Sequence, residues 1–272
     1  MNKLLQRLIT AIVSVLLLLL ILFALPPLMS IVAISSLVLV GAWEWGGLLG
    51  SQKNRPHWFC VLFIGAVMLG VGWMMPDQKL VIAVSWGSMV WWGIAFLGIL
   101  RYPISIPPIA AAICGAFVLL PAWLVTGHLI LVEPKGAELI LLALVIVWSA
   151  DIGAYFFGRK FGRVRLAPYV SPNKTWEGLL GGLLGSTFSA SLGGLCFGWE
   201  LAEFIPLGLS VGAISVLGDL TVSMFKRNAG LKDSGRLFPG HGGLLDRIDS
   251  VTAAVPLFVI GLLWLSTSAT GW

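Results

Sequence analysis

Nine mainly apolar runs divide this chain almost end to end, near residues 9–25, 28–49, 57–75, 80–100, 106–130, 137–157, 177–198, 205–225 and 250–269. A bilayer core about 30 Å thick takes about 20 residues of helix, and inside it every backbone N–H and C=O must find a partner within the segment. The pattern therefore predicts an all-α, polytopic integral membrane protein with about nine transmembrane helices. Of 272 residues, 58% are hydrophobic and 11% charged, which excludes a soluble globular domain. Lys3 and Arg7 precede the first run as in a secretory signal, but no small-residue cleavage site precedes Pro26 and Pro27, so a membrane helix is expected there. Cys60, Cys114 and Cys196 lie singly within apolar runs, an arrangement that suggests neither a disulfide framework nor a thiolate metal site.

Loops between successive helices alternate sides, and the two sets differ in charge. One side collects fifteen of the seventeen basic residues, among them Lys53, Arg55, Arg101, Arg159, Lys174 and Lys226. The other keeps Lys79 and Lys135 beside Asp77, Glu133, Glu138, Glu200 and Glu203. By the positive-inside rule the amino terminus is cytoplasmic and the carboxyl terminus outside. The formal net charge of +5 then belongs to the cytosolic face and suits anionic headgroups and nucleotides; no nucleic-acid partner is expected. Residues 1–135 read as scaffold helices that would carry any dimer contacts, and residues 136–272 as a catalytic region with cytosolic loops 158–176 and 226–249. A bacterial inner membrane is the expected location, with the active site facing the cytoplasm.

Three carboxylates, Glu44, Asp151 and Asp219, interrupt the apolar runs in the cytosolic half. Asp219 lies seven residues before Lys226, roughly 10 Å inside its helix end at about 1.5 Å per residue. A charge in hydrocarbon costs on the order of 3 kcal/mol, so such groups face a partner or a wet cavity, and three at one depth suggest a shared polar pocket. Glu44 reads best as a helix-holding group paired with a Ser, a Trp or backbone. Asp219, Ser223, Lys226 and Arg227 fall at i, i+4, i+7 and i+8, one stripe of a helix, as for a divalent cation on the acid and phosphates on the cations. Asp246 and Asp249, three residues apart at the start of the last helix, share a face and add hard oxygen donors of the kind Mg²⁺ prefers.

Between these helices lies Pro239 to Gly243, where glycines permit close backbone approach to an anion. His241 within it reads either as an acid/base or as a phosphate donor, or as an ordinary loop residue. Ser171 to Thr175 reads as a helix start, with Pro172 early and Glu177 capping from the first turn. No structural role accounts for Lys174. Gly178, Gly181, Gly182 and Gly185 after it read as close helix packing.

Ser223-x-Phe225-Lys226-Arg227, then Lys232-Asp233, His241-Gly242-Gly243 and Asp246-Arg247-x-Asp249 resemble, at fixed spacing over 27 residues, the signature of the CDP-diacylglycerol synthases, or phosphatidate cytidylyltransferases. Asp151-x-x-Ala154-Tyr155-x-x-Gly158-Arg159 and Ser171-Pro172-Asn173-Lys174-Thr175-x-Glu177-Gly178 are similar to further pieces of that family. The resemblance implies transfer of the cytidylyl group of CTP to phosphatidic acid with Mg²⁺, and leaves open a second, monovalent cation. It implies Asp219 and Asp246 at the metal, with Asp249 as a further ligand or close behind. Ser223, Lys174, Lys226, Arg227, Lys232, Arg236, His241, Gly242, Gly243 and Arg247 would bind the phosphates of CTP or of the lipid, with Asp151 supporting them. Glu44→Gln is then expected to cost far less activity than Asp219→Asn or Asp246→Asn. The small-residue helix faces are compatible with a homodimer. Two other readings stay open on the residues: a CTP-dependent polyprenol or phytol kinase or a CDP-archaeol synthase, and a transporter, which would also place carboxylates in the membrane.

Overall fold

The computed structural model describes residues 3–49, 57–199, 201–238 and 242–268. Each apolar run carries a helix: α1 (Lys3–Leu19, continued by a π-helical segment Leu20–Ala24), α2 (Pro27–Gly46), α3 (His57–Val71), α4 (Gln78–Leu100), α5 (Pro108–Val132), α6 (Gly136–Phe161), α7 (Trp176–Cys196), α8 (Leu201–Asn228) and α9 (Leu245–Ser268). Among the described residues eight of these are long and apolar enough to cross a bilayer, and Leu8–Ala24 is a shorter apolar helix. The chain is thus an all-α membrane protein.

Local chemistry sets the helix ends. Pro27 and Pro108 open α2 and α5, where a missing N–H costs nothing. Asp77 caps α4 by accepting from the Lys79 and Leu80 amides at 2.9 and 3.4 Å. α6 and α8 run past their apolar stretches to take in Arg159 and Lys160, and Lys226 and Arg227, as last-turn cations that favour the negative end of the helix dipole. All four residues are therefore helical, as the helical spacing of Lys226 and Arg227 suggested, although the loop bounds 158–176 and 226–249 include them.

The expected helix start at Ser171–Thr175 is instead strand β2, paired antiparallel with β1 (Arg165–Ala167) in the register Arg165 to Thr175 and Ala167 to Ser171. Thr175 is the residue that caps α7, its hydroxyl accepting from the Gly178 amide at 3.1 Å. Glu177 reaches away from its own helix to accept from the Arg163 and Val164 amides at 3.1 and 3.3 Å, which fixes the entry to the hairpin.

Small residues decide how closely the helices meet, as the sequence suggests. A Cβ on Gly153 would strike the Gly181 carbonyl, and Gly182 and Gly185 face the carbonyls of Ala150 and Ser149, so α6 and α7 touch backbone to backbone. One continuous core joins both halves of the chain, with Trp45, Trp92, Phe204, Phe225 and Phe258 fully buried. Large apolar residues such as Leu28, Leu62, Leu69 and Ile109 point outward, as expected where lipid is the solvent. The ends of α2, α6 and α8, the hairpin and the start of α9 gather on one side. There Asn228 holds the Ile106 amide and carbonyl at 3.2 and 3.3 Å.

Candidate active site

The deep acid on α8 is paired. Asp219 Oδ1 accepts from Ser223 Oγ, one turn on, at 3.1 Å, and Oδ2 meets Lys174 Nζ at 2.6 Å. Lys174 reaches it from β2. The hairpin, held by Thr175 and Glu177, thus delivers a cation to a helix it does not follow in sequence. Both side chains keep about a quarter to a third of their exposure (25% and 30%), so this pair is open to an incoming ligand.

A second ion pair sits deeper. Lys226 Nζ donates to Asp246 Oδ1 at 2.7 Å with each side chain only 9% exposed. Burying two charges is favourable only when further hydrogen bonds satisfy them. Here the Ser234 and Gly243 amides donate to Asp246 Oδ2 at 3.0 and 2.9 Å. Asp249, 6% exposed, lies one turn further along α9 and accepts from the Ser250 amide at 2.8 Å. Gly218 brings it to α8: a Cβ there would strike the Asp249 carbonyl oxygen, so α8 and α9 meet beside Asp219. Asp249 feels the charges of Asp219, Lys226 and Lys174 together.

The α8–α9 loop wraps a third carboxylate from the far half of the chain. Glu44, at the end of α2 and 5% exposed, accepts from Leu244 N at 3.0 Å, from Leu245 N at 2.8 Å and from Ser234 Oγ at 2.8 Å. Its partners are a serine and backbone, as the sequence suggests, and it does not line the cavity at Asp151. Gly242 has φ +84°, a left-handed turn that suits glycine. The Gly243 amide is committed to Asp246, and a Cβ on Gly243 would meet Glu44 and Ser234, so close packing rather than ligand approach explains that glycine.

A cavity of about 190 Å³ lies beside the Lys174–Asp219 pair, lined by Asp151, Tyr155, Asn173, Lys174, Leu179 and Val216 among others. Asp151 shares the field of Lys174, Asp219 and Arg247. Lys232 and Arg236 are exposed on the loop and Arg247 on the first turn of α9. Arg227 is turned elsewhere, donating from Nε to Val170 O at 3.3 Å and from a terminal nitrogen to Leu231 O at 2.9 Å, which ties the hairpin turn to the end of α8. His241, Lys53 and Arg55 lie outside the described residues.

Among the described residues no three His, Cys, Asp or Glu side chains form a ready metal cage. Asp219 and Asp246 each hold a lysine ammonium group instead. The acids at this junction nonetheless offer carboxylate oxygens, hard donors that suit Mg²⁺ better than Zn²⁺. Chemically, the site offers carboxylates for a hard cation and two ammonium groups for phosphate, with a cavity beside the more open pair.

Comparison with known proteins points the same way. Residues 5–265 match the model of the cytidylyltransferase family. A phosphatidate cytidylyltransferase of Haemophilus influenzae is 38% identical, with 93% of this chain and 96% of that one aligned. One of Pseudomonas aeruginosa is 41% identical over 88% of each chain. One of Synechocystis is 50% identical over 48% of this chain and 46% of its own.

Proposed function

Because the chain belongs to the cytidylyltransferase family, we propose that it transfers the cytidylyl group of CTP to phosphatidic acid, giving CDP-diacylglycerol and pyrophosphate. The observation that carries this reading is the pair of lysine–aspartate contacts, Lys174–Asp219 and Lys226–Asp246, brought to one junction by β2, α8 and α9. Two cations and three acids brought together suit a reaction in which both substrates are phosphates.

A phosphate oxygen of phosphatidic acid attacks the α-phosphorus of CTP in line. A new P–O bond forms to the lipid, the bond from the α-phosphorus to the bridging oxygen breaks, and pyrophosphate leaves with that electron pair. The lipid phosphate is already ionised, so no side chain need act as nucleophile or base. The protein's part is to align the reactants and offset charge. Lys226 and Lys174 grip phosphate oxygens as charge gathers on them, and Ser223, Lys232, Arg236 and Arg247 complete the basic rim. Asp219, Asp246 and Asp249 would hold Mg²⁺, which neutralises phosphate charge when bound. Arg227, spent on Val170 and Leu231, keeps the hairpin that carries Lys174 in place. Phosphatidic acid enters from the bilayer beside the cavity at Asp151, and CTP from the cytoplasm, the side that holds the basic loops.

Product analysis tests the reading. Purified protein given CTP, Mg²⁺ and phosphatidic acid should release pyrophosphate in step with lipid consumed, and a chelator should stop it. Release of CDP instead would show a lipid kinase.

A further inference from the structure

We propose that Glu44 is a positioning residue of this site: from the opposite half of the chain it holds the α8–α9 loop and the first turn of α9, and thereby sets where Asp246 and Lys226 meet the nucleotide. The inference rests on the cytidylyl-transfer reading for the identity of that nucleotide, but its geometry stands apart from it.

The first N–H groups of a helix have no partner within the helix and carry the positive end of its dipole. In α9 that need is met in trans. Glu44 takes the amides of Leu244 and Leu245 and the hydroxyl of Ser234, so both its oxygens are in use while the side chain is 5% exposed. The same short stretch gives the Ser234 and Gly243 amides to Asp246. Ser234 therefore bonds Glu44 through its side chain and Asp246 through its backbone. The amides taken by Glu44 lie directly before Asp246 in the chain. Gly235 and Gly243 are pressed so closely on the Glu44 carboxylate that a Cβ on either would overlap it. The described loop residues are thus moulded around two carboxylates, one that meets Lys226 and one that meets Ser234, Leu244 and Leu245. Loss of charge and of one acceptor at Glu44 releases the start of α9, and Asp246 moves with it. A carboxylate that merely held helices together would leave nucleotide binding untouched.

The test compares full-length wild type with Glu44→Gln by hydrogen exchange and by steady-state rates. The expected result is exchange at least about tenfold faster in peptides within 232–245 with none in α6 or α7. The KM for CTP should rise at least about tenfold while the KM for phosphatidic acid stays unchanged. Unchanged exchange in 232–245, or a loss confined to kcat, overturns the proposal. If Glu44→Gln fails to fold, Ser234→Ala decides, since it removes one of the three bonds and leaves the helix-end amides capped. It should loosen the same peptides and raise the KM for CTP in the same direction, by at least about threefold, and no change in either overturns the proposal. A wild type that consumes no CTP would strike down the cytidylyl-transfer reading, while the exchange comparison would still decide whether Glu44 holds the loop.

Discussion

At the level of single residues, the two lysine–aspartate pairs differ in burial and so in what they contribute. Lys174 and Asp219 are partly open, so losing one partner leaves a charge that is less closed off. Lys226 and Asp246 are nearly closed off, and removing one partner strands the other's charge. Lys174→Ala should therefore destabilise less than Lys226→Ala and still remove most activity. Lys226→Ala should cost about 3–5 kcal/mol as well as activity. A melting series in detergent beside rate measurements checks both, and equal destabilisation by the two would contradict the burial argument. The stripe Asp219, Ser223, Lys226 and Arg227 was readable as one helix face because helical spacing is local information. Its division was not readable. Arg227 turns to Val170 and Leu231, and Lys226 to Asp246, because of neighbours that arrive from other elements.

At the level of elements, the site depends on how closely α6, α7, α8 and α9 approach. The glycines of α7 announced that approach in the sequence, since small residues at helical spacing have few other uses in a membrane. Gly153→Ala should force α6 away from the Gly181 carbonyl, at about 1–3 kcal/mol, and shift Asp151 relative to Lys174. Gly87→Ala, where a Cβ meets open space, should leave both stability and turnover unchanged. Unequal melting temperatures for this pair are the expected outcome, and equal ones would show that α6 and α7 can part without cost. The hairpin was hidden. Ser171–Thr175 has no alternation of apolar residues to mark a strand, and Pro172 beside a first-turn Glu imitates a helix start. Its partner Arg165–Ala167 is three residues long and polar at one end, so pairing is decided by the closely packed ends of α6 and α7. Glu44 was hidden for a different reason: its bonded partners lie about two hundred positions away, as with Leu245 at a separation of 201, and no local pattern records them.

At the level of the whole molecule, the charge asymmetry of the loops and the convergence of the site on one face make a single claim about sidedness. Cysteines introduced at 236 and at 135 in a cysteine-free variant should react with an impermeant thiol reagent from opposite sides, 236 only from the cytoplasm and 135 only from outside. Labelling of both from one side would overturn the orientation given by the positive-inside rule. Hydropathy made the membrane class and the broad helix plan legible, because a bilayer leaves a chain few alternatives. It could not show that the amino-terminal helices reach into the site, since Glu44 meets its partners only through the tertiary fold. The central claim is that this junction of acids and lysines moves a cytidylyl group onto a phosphate lipid. Its most direct test incubates purified protein with phosphatidic acid, Mg²⁺ and CTP labelled at the α-phosphorus, beside samples with chelator, Asp219→Asn and Asp246→Asn. Label should enter the lipid with the wild type and be lost in all three controls, whereas label remaining in soluble CDP, or undiminished transfer by Asp246→Asn, would contradict the account.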